Sequence, residues 1–261
     1  DEYDYSGPRE DQSDTRILGF SGDVSTEILV DGPSQKTLKI EGLLELPASL
    51  TEDRARRTDE IVKNEVEMHV TLYAAKKRVE IKIHLHNKSK DHRLRALFPT
   101  KIKAEQVHAD GHFYVVPRDV KIPEVEGWAQ EPMGTNHQKD FVSVNDGSSV
   151  HAVLNRGLPE YEALKEENGE ITLAITLLRC VEWLSRPDFA SRRSDAGPSL
   201  KTPGAQCLGN HEFELALVID EEGKNWKDAK IHQEGKAFNN PLKPLFPFMT
   251  RTPLRISEKL I

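Results

Sequence analysis

A chain of 261 residues with 36 Lys and Arg against 43 Asp and Glu carries a formal charge of −7, with both signs mixed along its length. That balance leaves no basic footprint for nucleic acid or for an anionic membrane. The longest apolar stretch, ITLAITLL at 171–178, is far shorter than the roughly 20 residues a bilayer span requires.

The chain opens on DEYDYSGPRE, and its first methionine is Met68. The opening has neither the positive end nor the apolar run of a secretory leader, so residue 1 reads as a processing site or an internal point of a longer chain, and a fragment is expected. Two β runs then flank the turn signal Asp31-Gly32-Pro33. Residues 50–61, LTEDRARRTDEI, suggest a short helical turn. Residues 64–75 place Val66, Met68, Val70 and Leu72 on one face, and residues 78–87 do the same with Val79, Ile81, Ile83 and Leu85. That period of two, broken by a basic turn, predicts an antiparallel hairpin.

In the run from Arg93 to Phe98, Leu94, Ala96 and Phe98 share one face and Arg93, Arg95 and Leu97 the other. Further strands are expected at HFYVVP, DFVSVND, VHAVLN, ITLAITLLR and HEFELALVID, with turns at Asn145-Asp146-Gly147, Asn168-Gly169 and Leu208-Gly209-Asn210. YEALKEE at 161–167 has helical composition. Residues 185–210, rich in Pro, Gly, Ser and Arg, predict a long connection with little apolar anchorage, mobile in this chain. Many strands with little helix between them argue for an all-β antiparallel sandwich.

Few residues mark a site. His108, Asp110 and His112 would lie on one side of an extended run and are good metal-ligand types, but Asp110-Gly111 is a strong turn signal that scatters them. The alternative is an exposed turn, and no metal is assigned there. His84 and His86 share the polar face of a strand and line a wet surface. Acid pairs in LPEYEALKEENGE are ordinary on a solvated surface, and no nucleophile elbow, phosphate loop or dinucleotide fingerprint occurs. Two cysteines, Cys180 and Cys207, fit inert thiols in a reducing, cytoplasmic setting, with a single bridge between them as the alternative.

Several long blocks, in order, resemble the post-catalytic region of the glycoside hydrolase family 38 α-mannosidases. They are DEYDYSGP, VEIKIHLHNKSKDHRLRALFPT at 79–100, FVSVNDGSSVHAVLNRGLPEYEA at 141–163, and TLLRCVEWLSRPDFASRR with TPGAQCLGNHEFELAL within 176–217. The resemblance implies a galactose-mutarotase-like supersandwich with few short helices, residues 16–261, preceded by a linker at 1–15 and truncated at its C-terminal end. It implies that the catalytic barrel, with its zinc and its nucleophilic Asp, lies upstream, so this chain carries no catalytic residue and no cofactor of its own. The zinc role is not carried onto His108-Ala109-Asp110. The implied whole enzyme is a retaining exo-α-mannosidase, in which the sandwich partners its own barrel and lends residues to the rim of the mannoside pocket. Rim candidates are Arg93, Arg95, Asn155, Arg156 and Tyr161, each with a structural alternative as a salt bridge or strand-end anchor.

Two other functions remain open. An independent carbohydrate-binding module would want an aromatic platform, yet Trp128, Trp183 and Trp226 lie in unrelated segments. A mutarotase-like enzyme would need only a His acid and a Glu base in one groove.

Overall fold

The computed structural model describes residues 7, 19–188, 192 and 194–242. All of the expected linker but Gly7, and residues 243–261 of the expected sandwich, lie outside them. The strands, in chain order, are β1 (Ser21–Asp31), β2 (Gln35–Pro47), β3 (Ile61–Tyr73), β4 (Arg78–Asn87), β5 (Arg93–Lys103), β6 (Gln106–Asp110), β7 (Val115–Asp119), β8 (Thr135–His137), β9 (Phe141–Asn145), β10 (Val150–Asn155), β11 (Glu160–Lys165), β12 (Glu170–Arg179) and β13 (Gly209–Asp220), followed by helix α1 (Ile231–Asn239).

The fold is an all-β antiparallel sandwich. A nine-stranded sheet has the order β1-β2-β3-β4-β13-β10-β9-β6-β7, and a four-stranded sheet has the order β5-β12-β11-β8. The alternation read from the sequence decides which side chains meet between them. Val66, Ile83, Leu85, Phe213 and Leu215 of the large sheet cluster with Ile171, Leu173 and Ile175 of the small one. The expected hairpins form: β1 with β2 around Gly32, and β3 with β4 in a register that sets Glu67 opposite His84.

A second apolar cluster lies on the other face of the large sheet. There Phe141, Val150, Ala152, Leu154, Ala216 and Val218 are covered by Ala229 and by Ile231 and Phe238 of α1. Strands β9 and β10 are therefore buried on both faces, and this is why their sequences are apolar runs rather than alternations.

Two expected helical segments are not helices. Residues 50–61 fold back on themselves through turns, with Thr51 donating its N–H to the Arg56 carbonyl and Leu50 bridged to Arg57. Residues 160–165 are strand β11, paired with β12 and β8. Between two waiting partners, the ladder outweighs a helix propensity worth only tenths of a kcal/mol per residue.

The long connection is held by hydrogen bonds where apolar side chains are few. Leu184 N–H donates to the Leu200 carbonyl at 2.8 Å, Thr202 N–H to the Glu182 carbonyl at 2.7 Å, and the buried Ser185 Oγ accepts from the Ala196 and Gly197 amides. Residues 189–191 and 193 of this connection lie outside the described residues.

Candidate functional site

The small sheet turns Arg93 and Arg95 to its outer face, as strand parity requires, while Leu94, Ala96 and Phe98 pack on the core. Register places Arg95 opposite Thr176 and Arg93 opposite Arg179 on β12. From β11, one strand further on, Glu160 and Glu162 close the group. Arg95 pairs with Glu162; Arg93 lies 3.6 Å from Glu162 and 4.0 Å from Glu160; Arg179 lies 3.4 Å from Glu160. Thr176 Oγ1 donates to Glu160 Oε1 at 2.6 Å. Arg93, Arg95 and Glu162 keep less than a fifth of their side-chain surface exposed, so the guanidiniums are fixed beneath one another's screens. Burial, and next the neighbouring Arg93, lower the Arg95 guanidinium from its ordinary value, against the pull of Glu162.

The other three rim candidates do not join this group. Tyr161, between Glu160 and Glu162 on β11, points inward; it is fully buried opposite Ile175, its hydroxyl has no hydrogen-bond partner among the described residues, and burial pushes the phenol up to about 12. Asn155 is fully buried at the β10–β11 turn, where its amide donates to the Lys139 carbonyl at 3.0 Å and its Oδ1 accepts the Leu158 N–H at 2.8 Å. Arg156 lies on the large sheet's outer side. It pairs with Glu214, donates to the Phe238 carbonyl and sits 4.7 Å over the Phe238 ring, clamping the end of α1.

The His108–His112 segment forms the turn that Asp110-Gly111 predicts, with Gly111 N–H donating to the Tyr114 carbonyl at 2.9 Å. His108 is half-buried on β6, and Asp110 accepts the Asp140 amide at 3.3 Å. Burial lowers the His108 imidazole and raises the Asp110 carboxyl. His112 lies beyond the turn, exposed and stacked on His137 at 5.4 Å. Among the described residues these three do not bring ligand atoms together; Glu67, His69 and His84 do.

That trio belongs to a polar grid on the outer face of β1 to β4 and β13, which the sequence shows only as separate polar alternations. One cross-strand row runs Ser25, Glu41, Glu67, His84, Glu212, and the next runs Glu27, Lys39, His69, Lys82, Glu214. Lys39 reaches Glu27 at 3.0 Å and Glu41 at 3.2 Å, and Lys82 reaches Glu212 at 2.8 Å. These contacts hold Lys39 above, and Glu41 and Glu212 below, their ordinary values.

Cys180 is a thiol buried 3.9 Å from His92 Nε2, where desolvation pushes it up to about 12. It is a packing thiol with no thiolate character near neutral pH.

Residues 1–189 match the family described as "Glycosyl hydrolases family 38 C-terminal domain". A protein of Halalkalibacterium halodurans named "Putative mannosylglycerate hydrolase" is 32% identical over 162 residues, which are 62% of this chain and 16% of that protein. Two Enterococcus faecalis structures, one a family 38 glycosyl hydrolase and the other an α-mannosidase, superpose with TM-scores of 0.68 and 0.69 at 26% and 27% identity. Each covers 82% of this chain with 24% of its own length, so the chain spans about a quarter or less of the length of these three relatives.

Proposed function

The chain belongs to glycosyl hydrolase family 38, and from that premise we propose that it is the non-catalytic β-sandwich of an enzyme that hydrolyses terminal α-mannosides. The observation that carries this reading is the superposition on the Enterococcus faecalis α-mannosidase, in which four-fifths of this chain accounts for 24% of a longer enzyme. The remaining length is where the reading puts the catalytic barrel. Zinc and the mannoside belong to that part. His108 and Asp110, which imitate the family's zinc motif, belong to no group of three converging ligand atoms among the described residues, so they do not fit that ion and no step is assigned to them.

The reading gives the outer face of the small sheet to the barrel. Arg93 and Arg95 support this: they are pre-oriented by Glu160 and Glu162, beside an exposed Leu97, in a fork geometry suited to a carboxylate or to sugar hydroxyls. Asn155, Arg156 and Tyr161 act in this reading through the turn, the helix and the core they hold. Of the three tryptophans, Trp226 packs on Phe141 and Trp183 lies against Arg186 and Lys201, which leaves a free-standing carbohydrate module the single exposed ring of Trp128. A cytoplasmic setting is part of the proposal, supported by the buried thiol of Cys180.

The test compares the 261-residue chain with the whole enzyme on an aryl α-mannoside and on mannosylglycerate. Turnover is expected from the whole enzyme only. Zinc-dependent turnover by the chain alone would overturn the reading.

A further inference from the structure

The polar grid holds a group of side chains whose donor atoms converge as a metal's ligands do: Glu67, His69 and His84, all within 4.8 Å of one another. We propose that these three bind a divalent transition-metal ion, zinc foremost, on the outer face of β3 and β4.

The fold brings them together by two short-range rules. Glu67 and His69 are two residues apart on β3 and so share a face. Register then sets His84 of β4 directly across from Glu67. Two imidazoles and one carboxylate form a donor set that suits zinc and its neighbours in the transition series, whereas magnesium and calcium want oxygen alone.

His69 supplies the second observation. Its Nε2 is buried and lies 2.8 Å from Glu67 Oε1, at ion-pair distance, yet among the described residues it makes no aligned hydrogen bond. Buried ring nitrogens are seldom left so, and an ion between the imidazole and the carboxylate would satisfy both. The two imidazole rings meet edge to face, 5.6 Å between centroids, rather than flat. Bonds of about 2.1 Å to a tetrahedral ion place ligand atoms about 3.4 Å apart, so a spread of at most 4.8 Å closes with small side-chain rotations.

The surroundings favour a cation. Glu212 on β13 approaches His84 Nδ1 at 3.6 Å and is held by Lys82; it is the carboxylate placed to orient that ring. Glu41 faces Glu67 from β2. The nearby fixed cations, Lys39 and Lys82, are each engaged by a carboxylate. The three ligand side chains keep 27%, 37% and 39% of their surface exposed, which leaves an entry path and room for water to complete the coordination.

The test is zinc binding to the 261-residue chain, read by competition with a chromogenic chelator, with the visible spectrum of cobalt(II) reporting nitrogen and oxygen coordination. One ion per chain is expected. Affinity should fall at least about tenfold in His69→Ala and in His84→Ala, and about tenfold in Glu212→Gln, as for the loss of an orienting group. His86→Ala, in the adjoining row, should bind as the parent does. His84→Asn, close in size and polarity, carries the measurement if circular dichroism shows that an alanine variant is less folded. Absence of saturable binding overturns the proposal, and so does binding that survives the combined His69→Ala and His84→Ala change.

Discussion

Replacing Arg95 by alanine removes one guanidinium from a group in which each carboxylate serves more than one arginine. A half-buried charge-assisted hydrogen bond contributes about 1.5–3 kcal/mol. The larger loss of about 3–5 kcal/mol, seen when a buried charge is orphaned, does not apply, because Glu162 keeps Arg93 at 3.6 Å. The expected cost is thus about 2 kcal/mol, and for a folded unit of this size each kcal/mol moves Tm by about 2–4 °C, giving a fall of about 4–8 °C. Thermal unfolding followed by circular dichroism measures it, and a cycle with Glu162→Gln should return a coupling of about 1 kcal/mol or more. A fall below about 1 °C, with no coupling to Glu162, would refute the reasoning that these charges are fixed by one another. Repeating Arg95→Ala in the whole enzyme separates the roles: lost stability with unchanged kcat/KM makes the residue a structural anchor, and a selective kinetic loss makes it part of the pocket rim.

Tyr161→Phe removes a buried hydroxyl that has no hydrogen-bond partner among the described residues, and should leave Tm unchanged or raise it by a degree or two, contrary to the usual cost of altering a core residue. Phe238→Ala takes away the ring that anchors α1 and receives the Arg156 guanidinium, for an expected loss of about 3–5 kcal/mol in denaturant unfolding. His92 is held near pKa 4, chiefly by burial, against its ordinary 6.5. The unfolded chain therefore takes up a proton that the folded one refuses, so stability is whole above about pH 6.5 and falls by about 3 kcal/mol as the pH drops toward 4. His92→Gln should flatten that slope in a pH series of urea midpoints.

Strands with one wet face were legible in the sequence, since Val79 to Leu85 alternate without a break and β4 follows. The shared face of Arg93 and Arg95 followed from the same parity. Their partners were hidden because YEALKEE has the composition of a helix, and a helix would not set Glu160 and Glu162 on one side with Tyr161 on the other. What decided that segment was β12, whose pairing is a tertiary fact. Helix α1 was missed for a related reason. It starts at Lys230 in a left-handed conformation with no capping side chain, and it carries Gly235 in its middle, where Asp140 and Phe141 lie within 3.3–3.4 Å of any added Cβ. Glu67, His69 and His84 needed the β3–β4 register, which depends on how residues 74–77 turn and not on any spacing between the three.

The covering of the large sheet on both faces only at β13, β10 and β9 makes its resistance to opening uneven along its width. From Gly22 onward β1 is exposed along its whole length, at the far edge from β7. Amide exchange should therefore sort by strand rather than by residue type: fastest in β1, slower through β2 and β3, and slowest at Ala152 to Leu154, where solvent is excluded from either side. The molecule loosens like a fan from one end, and a single melting temperature averages over units that come apart at different free energies.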